Sequence, residues 1–142
     1  MTKWGIFTLS QIPDQTRRVE VFYADLPHFD LAENLGHDKV RIAEHLFSNY
    51  DVVTSAQVYA AAITQRTKRI GIDTAVAVVP IYHSLRTASD FALTDIVSHG
   101  RLDFGIGRAC PAHAKRAMRL AAERVPPYVY AHHALIGLRS RD

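Results

Sequence analysis

The chain has 142 residues, about one domain, with 48% hydrophobic and 22% charged side chains. That balance excludes a mostly disordered or collagen-like chain, and the longest apolar run, around Ala75–Pro80, is far short of the ~20 residues a membrane-spanning helix needs. The net charge of +3 is uneven: nine basic against eleven acidic side chains in residues 1–100, and eight against three in 101–142.

Residues 4–9, WGIFTL, form a short apolar run that suits a buried strand. Pro13-Asp14 then opens a helical stretch with Val19, Phe22, Tyr23 and Leu26 near the 3.6-residue period. Pro27 is expected to interrupt or kink it. The pattern resumes at Phe29, Ala32 and Leu35, and Gly36 is a natural stop. Val40–Ala43 is a second short strand with Arg41 inside it. His45–Thr54 reads as a loop around Ser48-Asn49-Tyr50-Asp51. Thr54 or Ser55 can cap the next helix, which carries Ala56, Tyr59, Ala60 and Ile63 on one side and ends at Thr67-Lys68-Arg69.

Ile70–Val79 is the strongest strand, closed by Pro80. A third helix starts at Ser84 or Thr87, with Leu85, Ala88, Phe91, Ala92 and Ile96 as its apolar set, and ends at His99-Gly100. Arg101–Ile106 is a fourth strand. Strands alternating with helices imply parallel βαβ units, and both an open doubly wound sheet and a closed eight-stranded barrel fit. After Ala109 the rhythm is lost. Ala112–Glu123 reads as a helix, Pro126-Pro127 stops it, and residues 109–142 form a divergent basic tail. Such a tail can bind nucleic acid or an acidic surface. No aromatic-interleaved basic patch or zinc-finger spacing accompanies it, so it reads as a solvated helix face with no nucleic-acid or membrane partner. The N-terminus lacks the apolar region and cleavage site of a signal peptide, so a cytoplasmic protein is expected.

Four groups of residues carry chemical potential. Glu44-His45 closes the second strand, and parallel α/β folds place ligand sites at the carboxyl ends of strands. A carboxylate beside an imidazole there can move a proton, although a structural or solvent-facing His45 fits the spacing as well. Phe104-Gly105-Ile106-Gly107-Arg108 lets backbone approach a ligand and offers an arginine for phosphate, or it is simply a tight turn. It is not a dinucleotide fingerprint, because Cys110 stands at the third glycine position. Glu44, His45 and His83 could meet at one barrel mouth, but they lack compact ligand spacing, so no metal is expected. Cys110 is a lone cysteine, which excludes an intrachain disulfide and, without a base partner, gives no reactive thiol. Ser84 and Ser98 lie in no nucleophile elbow. Phe22, Tyr23, Phe29, Tyr59 and Phe91 are assigned to core packing.

Several longer motifs stand in collinear order across residues 3–108. They are LAENLGHDKV (31–40), AEHLFSNY (43–50), AAITQRTKRI (61–70), TAVAVVP (74–80) and LTDIVSHGRLDFGIGR (93–108). Together they resemble the luciferase-like monooxygenase family. The resemblance implies a (β/α)8 TIM barrel, here as about four βα units, a half-barrel over residues 1–108. It implies an enzyme that uses O2 and reduced FMN, supplied by a flavin reductase, or in some branches a deazaflavin, to oxidise an aldehyde, alkane or other organic substrate. His45 matches the family's active-site histidine and Glu44 its acidic neighbour. Thr74, Ala75 and Val76 match the strand end beside the isoalloxazine ring, where a non-prolyl cis bond would fall at Ala75–Val76. Arg108 matches an arginine near the flavin phosphate.

The chain departs from the family at Leu46, where a second histidine is common, at Arg41, where an aromatic is common, and at Asp73, where glycine is usual. Pro27 falls in a helix that is normally unbroken. The family's chains run on by roughly another two hundred residues, enough to complete a barrel. A truncated product, a frameshift near Ala109 or a fragment is therefore expected. Such a chain would work as a homo- or hetero-oligomer, or persist as an inactive accessory half-barrel that binds a partner subunit or flavin weakly.

Overall fold

A computed structural model describes residues 2–12, 17–46 and 50–107. In chain order the elements are β1 (Gly5–Thr8), α1 (Arg18–Asn34), β2 (Lys39–Ile42), α2 (Ala56–Arg66), β3 (Gly71–Thr74), β4 (Ala77–Val78), a 3-10 turn at Val79–Ile81, α3 (Ser84–Ser98), β5 (Leu102–Asp103) and β6 (Ile106–Gly107). Strands β1, β2, β3 and β5 form a parallel sheet in that order, and β4 pairs in parallel with β6. This is the expected βαβ succession. The expected helix at 112–123 and the rest of the 109–142 tail lie outside the described residues.

One face of the sheet is dry. Val40, Ile42 and Ile72 pack against Leu26 and Phe29 of α1 and Tyr59, Ala60 and Ile63 of α2, all buried. Strand alternation turns Arg41 and Asp73 to the other face, and the register lines up Phe7, Arg41, Asp73 and Asp103 across four strands. On that face Arg41 Nε lies 2.7 Å from Asp73 Oδ2, and Lys39 pairs with Asp103. Two departures from the family pattern, Arg41 and Asp73, are therefore partners of each other.

Beneath the sheet, Arg101 ties α2, β3 and α3 together. Its guanidinium donates to the carbonyls of Thr64, Thr67, Ile70 and Ser98 at 2.7–3.2 Å.

The structure departs from the sequence expectations in several places. The WGIFTL segment is not buried: Trp4 is 70% and Phe7 53% exposed. Among the described residues strand β1 is the edge of its sheet, and Phe7 lies on the face opposite α1 and α2. Pro27 does not interrupt α1, which runs unbroken through it. The proline faces solvent, where water can satisfy the carbonyl it leaves free, and buried Leu26 and Phe29 hold the helix on either side. In α3 the buried residues are Thr87, Phe91, Thr94 and Ser98, whereas Leu85, Leu93 and Ile96 are exposed. The hydroxyls can be buried because each donates back to a carbonyl of its own helix, Thr87 to His83, Thr94 to Asp90 and Ser98 to Asp95.

Two of the expected strands are each split. Ile70–Val79 breaks between β3 and β4, and Arg101–Ile106 breaks between β5 and β6. The breaks are side by side. Thr74 Oγ1 donates to the Gly105 carbonyl at 2.8 Å and accepts the Gly105 N–H at 2.9 Å. The Gly105 carbonyl also receives the Ala77 N–H at 2.9 Å. A Cβ on Gly105 would lie 2.0 Å from the Thr74 carbonyl oxygen, so only glycine fits this crossing. Replacing Gly105 by Ala is expected to cost about 2–3 kcal/mol, read as a lower urea midpoint with an unchanged slope.

Candidate functional site

The C-terminal ends of β2 and β3 converge. The Ala75 N–H donates to the Ile42 carbonyl at 2.7 Å, one step before Ala43-Glu44-His45. Glu44 is buried there, 4% exposed. Its Oε2 accepts the Val78 N–H at 2.6 Å, and its Oε1 accepts the Ala56 N–H at 3.4 Å and the Tyr82 hydroxyl. Ser55, expected as a cap of α2, makes no side-chain capping bond. The Glu44 carboxylate reaches the first N–H of that helix instead, where a negative charge meets the positive end of the helix dipole. Burial raises the Glu44 carboxyl above its ordinary range, and the hydrogen bonds from Tyr82, Val78 and Ala56 work against that rise.

His45 follows at the rim. Its backbone N–H donates to the Val53 carbonyl at 3.0 Å, and its side chain keeps 27% of its surface exposed. Nδ1 lies 3.1 Å from Oδ2 of Asp51, whose side chain is 1% exposed. Asp51 Oδ1 accepts the Val53 N–H at 2.8 Å. The Tyr50 ring stands edge-on to the imidazole with centroids 5.0 Å apart. Burial pushes the Asp51 carboxyl up to about 6, against the pull of the Val53 N–H and of His45.

The third part is the crossing segment. The Ala75–Val76 peptide is cis, where the resemblance implied it. Thr74 is buried and its hydroxyl is committed to Gly105. Ala75 is half-buried and Val76 is exposed. Gly107 runs so close to Val76 that a Cβ would lie 2.5 Å from Cγ2. The glycines of Phe104–Arg108 thus approach this segment of the protein itself.

The structure therefore gathers Glu44, His45, Thr74, Ala75 and Val76 at neighbouring strand ends. Arg108 lies outside the described residues, as does Cys110. Among the described residues no group of three or more His, Cys, Asp or Glu side chains could hold a metal ion, so Glu44, His45 and His83 form no such site. No described helix is long and apolar enough to cross a membrane. Asp51 and Tyr82 were not singled out from the sequence. Asp51 sits in a polar loop stretch, where nothing in the spacing marks one carboxylate as buried, and Tyr82 meets Glu44 from 38 residues away.

The profile of a family described as luciferase-like monooxygenase matches residues 2–128, which runs past residue 108. The chain is 34% identical over 106 residues to the alkanal monooxygenase alpha chain of Photorhabdus laumondii, covering 75% of this chain and 30% of that one. It is 27% identical over 100 residues to the oxygenase component of a flavin-dependent trigonelline monooxygenase of Acinetobacter baylyi, covering 70% and 28%. Among solved structures, monooxygenase RslO1 from Streptomyces bottropensis superposes with a TM-score of 0.78 at 30% identity, over 83% of this chain and 36% of that one. The fold is thus of the TIM-barrel type, as a half-barrel. The chain spans about 30% of the length of the curated relatives it matches.

Replacing Glu44 by Gln keeps the shape but sets an amide NH2 against one of the donors that faced a carboxylate oxygen. It is expected to cost about 1–3 kcal/mol in urea unfolding. Asp51 carries a pH dependence of definite sign. Between 3.8 and about 6 the folded chain holds a proton that the unfolded chain releases, so the contribution of Asp51 to stability falls as pH rises through that window. The stability difference between the wild type and Asp51→Asn, followed by urea unfolding across the same window, is expected to decline with rising pH. A flat difference would contradict it.

Proposed function

The chain belongs to the luciferase-like monooxygenase family, and from that membership we propose that it forms the histidine-bearing half of a flavin-dependent monooxygenase that oxidises a small organic substrate with O2. The observation that carries this is one juxtaposition. The half-exposed imidazole of His45 and the exposed apolar side chain of Val76 stand at the ends of adjacent parallel strands, where ligand sites of such folds lie.

The residues present fit the flat ring of a flavin. Ala75 and Val76 offer short apolar side chains, and Thr74, with its hydroxyl committed to Gly105, holds the segment in place. Reduced FMN, when bound, supplies the electrons that activate O2. The remaining tasks fall to side chains of this chain. His45 holds or releases a proton at its ring. Glu44 serves the reaction by holding the β2 end, the start of α2 and Val78 in one geometry. Arg108 would hold the phosphate of the cofactor.

A separate flavin reductase is the proposed source of reduced FMN, which is supported by the trigonelline relative's being named an oxygenase component. Exposed Trp4 and Phe7 at the sheet edge favour work as an oligomer, with a second copy or another chain.

The test is a titration of the purified chain with FMN, followed by flavin fluorescence and repeated with a deazaflavin. Saturable micromolar binding to FMN is expected, weakened by about ten-fold or more in Arg108→Ala and in Val76→Asp. With a flavin reductase, its nicotinamide reductant and O2, oxygen uptake above background is expected, and it should vanish in His45→Ala while FMN still binds. Saturable binding of the deazaflavin alone would move the assignment to that cofactor. No binding of either at millimolar concentration would overturn the proposal and leave a non-catalytic accessory half-barrel.

A further inference from the structure

Asp51 is a buried carboxylate outside the residues that the family resemblance implicates. A carboxylate with its side chain 1% exposed is costly unless its oxygens are satisfied. Here each oxygen has a different partner: Oδ1 takes the Val53 N–H at 2.8 Å, and Oδ2 faces His45 Nδ1 at 3.1 Å. The Val53 N–H therefore fixes how the carboxylate is turned, and the His45 N–H to Val53 carbonyl bond at 3.0 Å closes the loop back onto the residue it serves.

We infer that Asp51 is the positioning residue of His45. It holds the imidazole as the Nδ1–H tautomer, so that Nε2 keeps the lone pair and is the nitrogen that takes up a proton during turnover. An ionised carboxylate can only accept, so the ring nitrogen facing it must carry the hydrogen. The groups facing this pair are Glu44 beside His45, Tyr50 edge-on to the ring, and Asp25 and Tyr59 within electrostatic reach of Asp51. None of these four is a cation. In its role for turnover the inference rests on His45 being the active-site histidine, but its structural content does not need flavin.

The experiment is long-range proton–nitrogen correlation on the full chain labelled with 15N-histidine, at about pH 8, where Asp51 is ionised. The eight histidines are separated by identifying the His45 signals through their loss in His45→Gln. The wild type is expected to show His45 as the Nδ1–H tautomer.

In Asp51→Asn the Val53 N–H should retain the amide oxygen, which turns the amide NH2 toward Nδ1. His45 should then switch to the Nε2–H tautomer, with little change elsewhere in the spectrum. A merely space-filling Asp51 would leave the tautomer unmoved. An Nε2–H tautomer in the wild type, or the same tautomer in both proteins, overturns the inference. If Asp51→Asn fails to fold, the wild-type tautomer decides alone. The expected tautomers together with failed FMN binding would leave the Asp51–His45 pair standing and remove only the flavin function. Bound FMN with an unswitched tautomer would do the reverse.

Discussion

The structure depends on one buried carboxylate. Glu44 leaves the end of β2 and meets donors from three other places: the first N–H of α2, the Val78 N–H and the Tyr82 hydroxyl. An isolated carboxylate at such depth would cost several kcal/mol, and each of the donors would be left unmet without it. Satisfied together, they lock the end of one strand, the start of a helix and the segment after the next strand into a single geometry. His45 is the next residue, so its backbone is placed by a neighbour whose two carboxylate oxygens are both engaged within the protein.

A second lock lies one strand further on. Thr74 and Gly105 exchange two hydrogen bonds across the gap between β3 and β5, and the sheet divides there into its four-stranded and two-stranded parts. Just past this point Ala75 keeps one bond to β2, its N–H to the Ile42 carbonyl, and Val76 comes to the surface. Gly105 and Gly107 follow from this geometry, because a side chain at either would collide with residues 74–76. The glycines that suggest a phosphate loop are therefore explained by contact within the protein.

The uncovered face of the sheet carries its own compensation. Arg41 and Asp73 stand opposite one another in the register, as do Lys39 and Gly71, with Lys39 reaching on to Asp103. Each of Arg41 and Asp73 alone would set an unpaired charge where barrels of this type pack side chains in layers. Together they form an ion pair with nitrogen and oxygen 2.7 Å apart. The sheet thus keeps paired charges on the face opposite the helices and an exposed apolar edge at Trp4 and Phe7.

Much of the fold was legible from the sequence. Apolar spacing marked where the three described helices run, although Val19 and Tyr23 of α1 and Leu85 and Ile96 of α3 proved exposed, and the alternation of helices with short apolar runs implied the parallel order. Motifs of several residues in register were enough to point to Glu44, His45 and residues 74–76, because such runs are local and survive without their surroundings. What the sequence could not carry were relations between distant residues.

Whether WGIFTL is buried depends on having a strand on both sides, and among the described residues β1 has one. Whether Ile70–Val79 is one strand or two depends on Gly105, thirty-one residues from Thr74. The true cap of α2 is a glutamate twelve residues upstream, and not the serine at its door. Asp51 reads as a solvated loop residue until Val53 and His45 close over it. The sequence by itself determined the element types, the family and the residues at the strand ends, since these rest on spacing along the chain. Tertiary structure alone decided burial, strand breaks and charge partners, since those energies arise only when separated segments exclude water from one another.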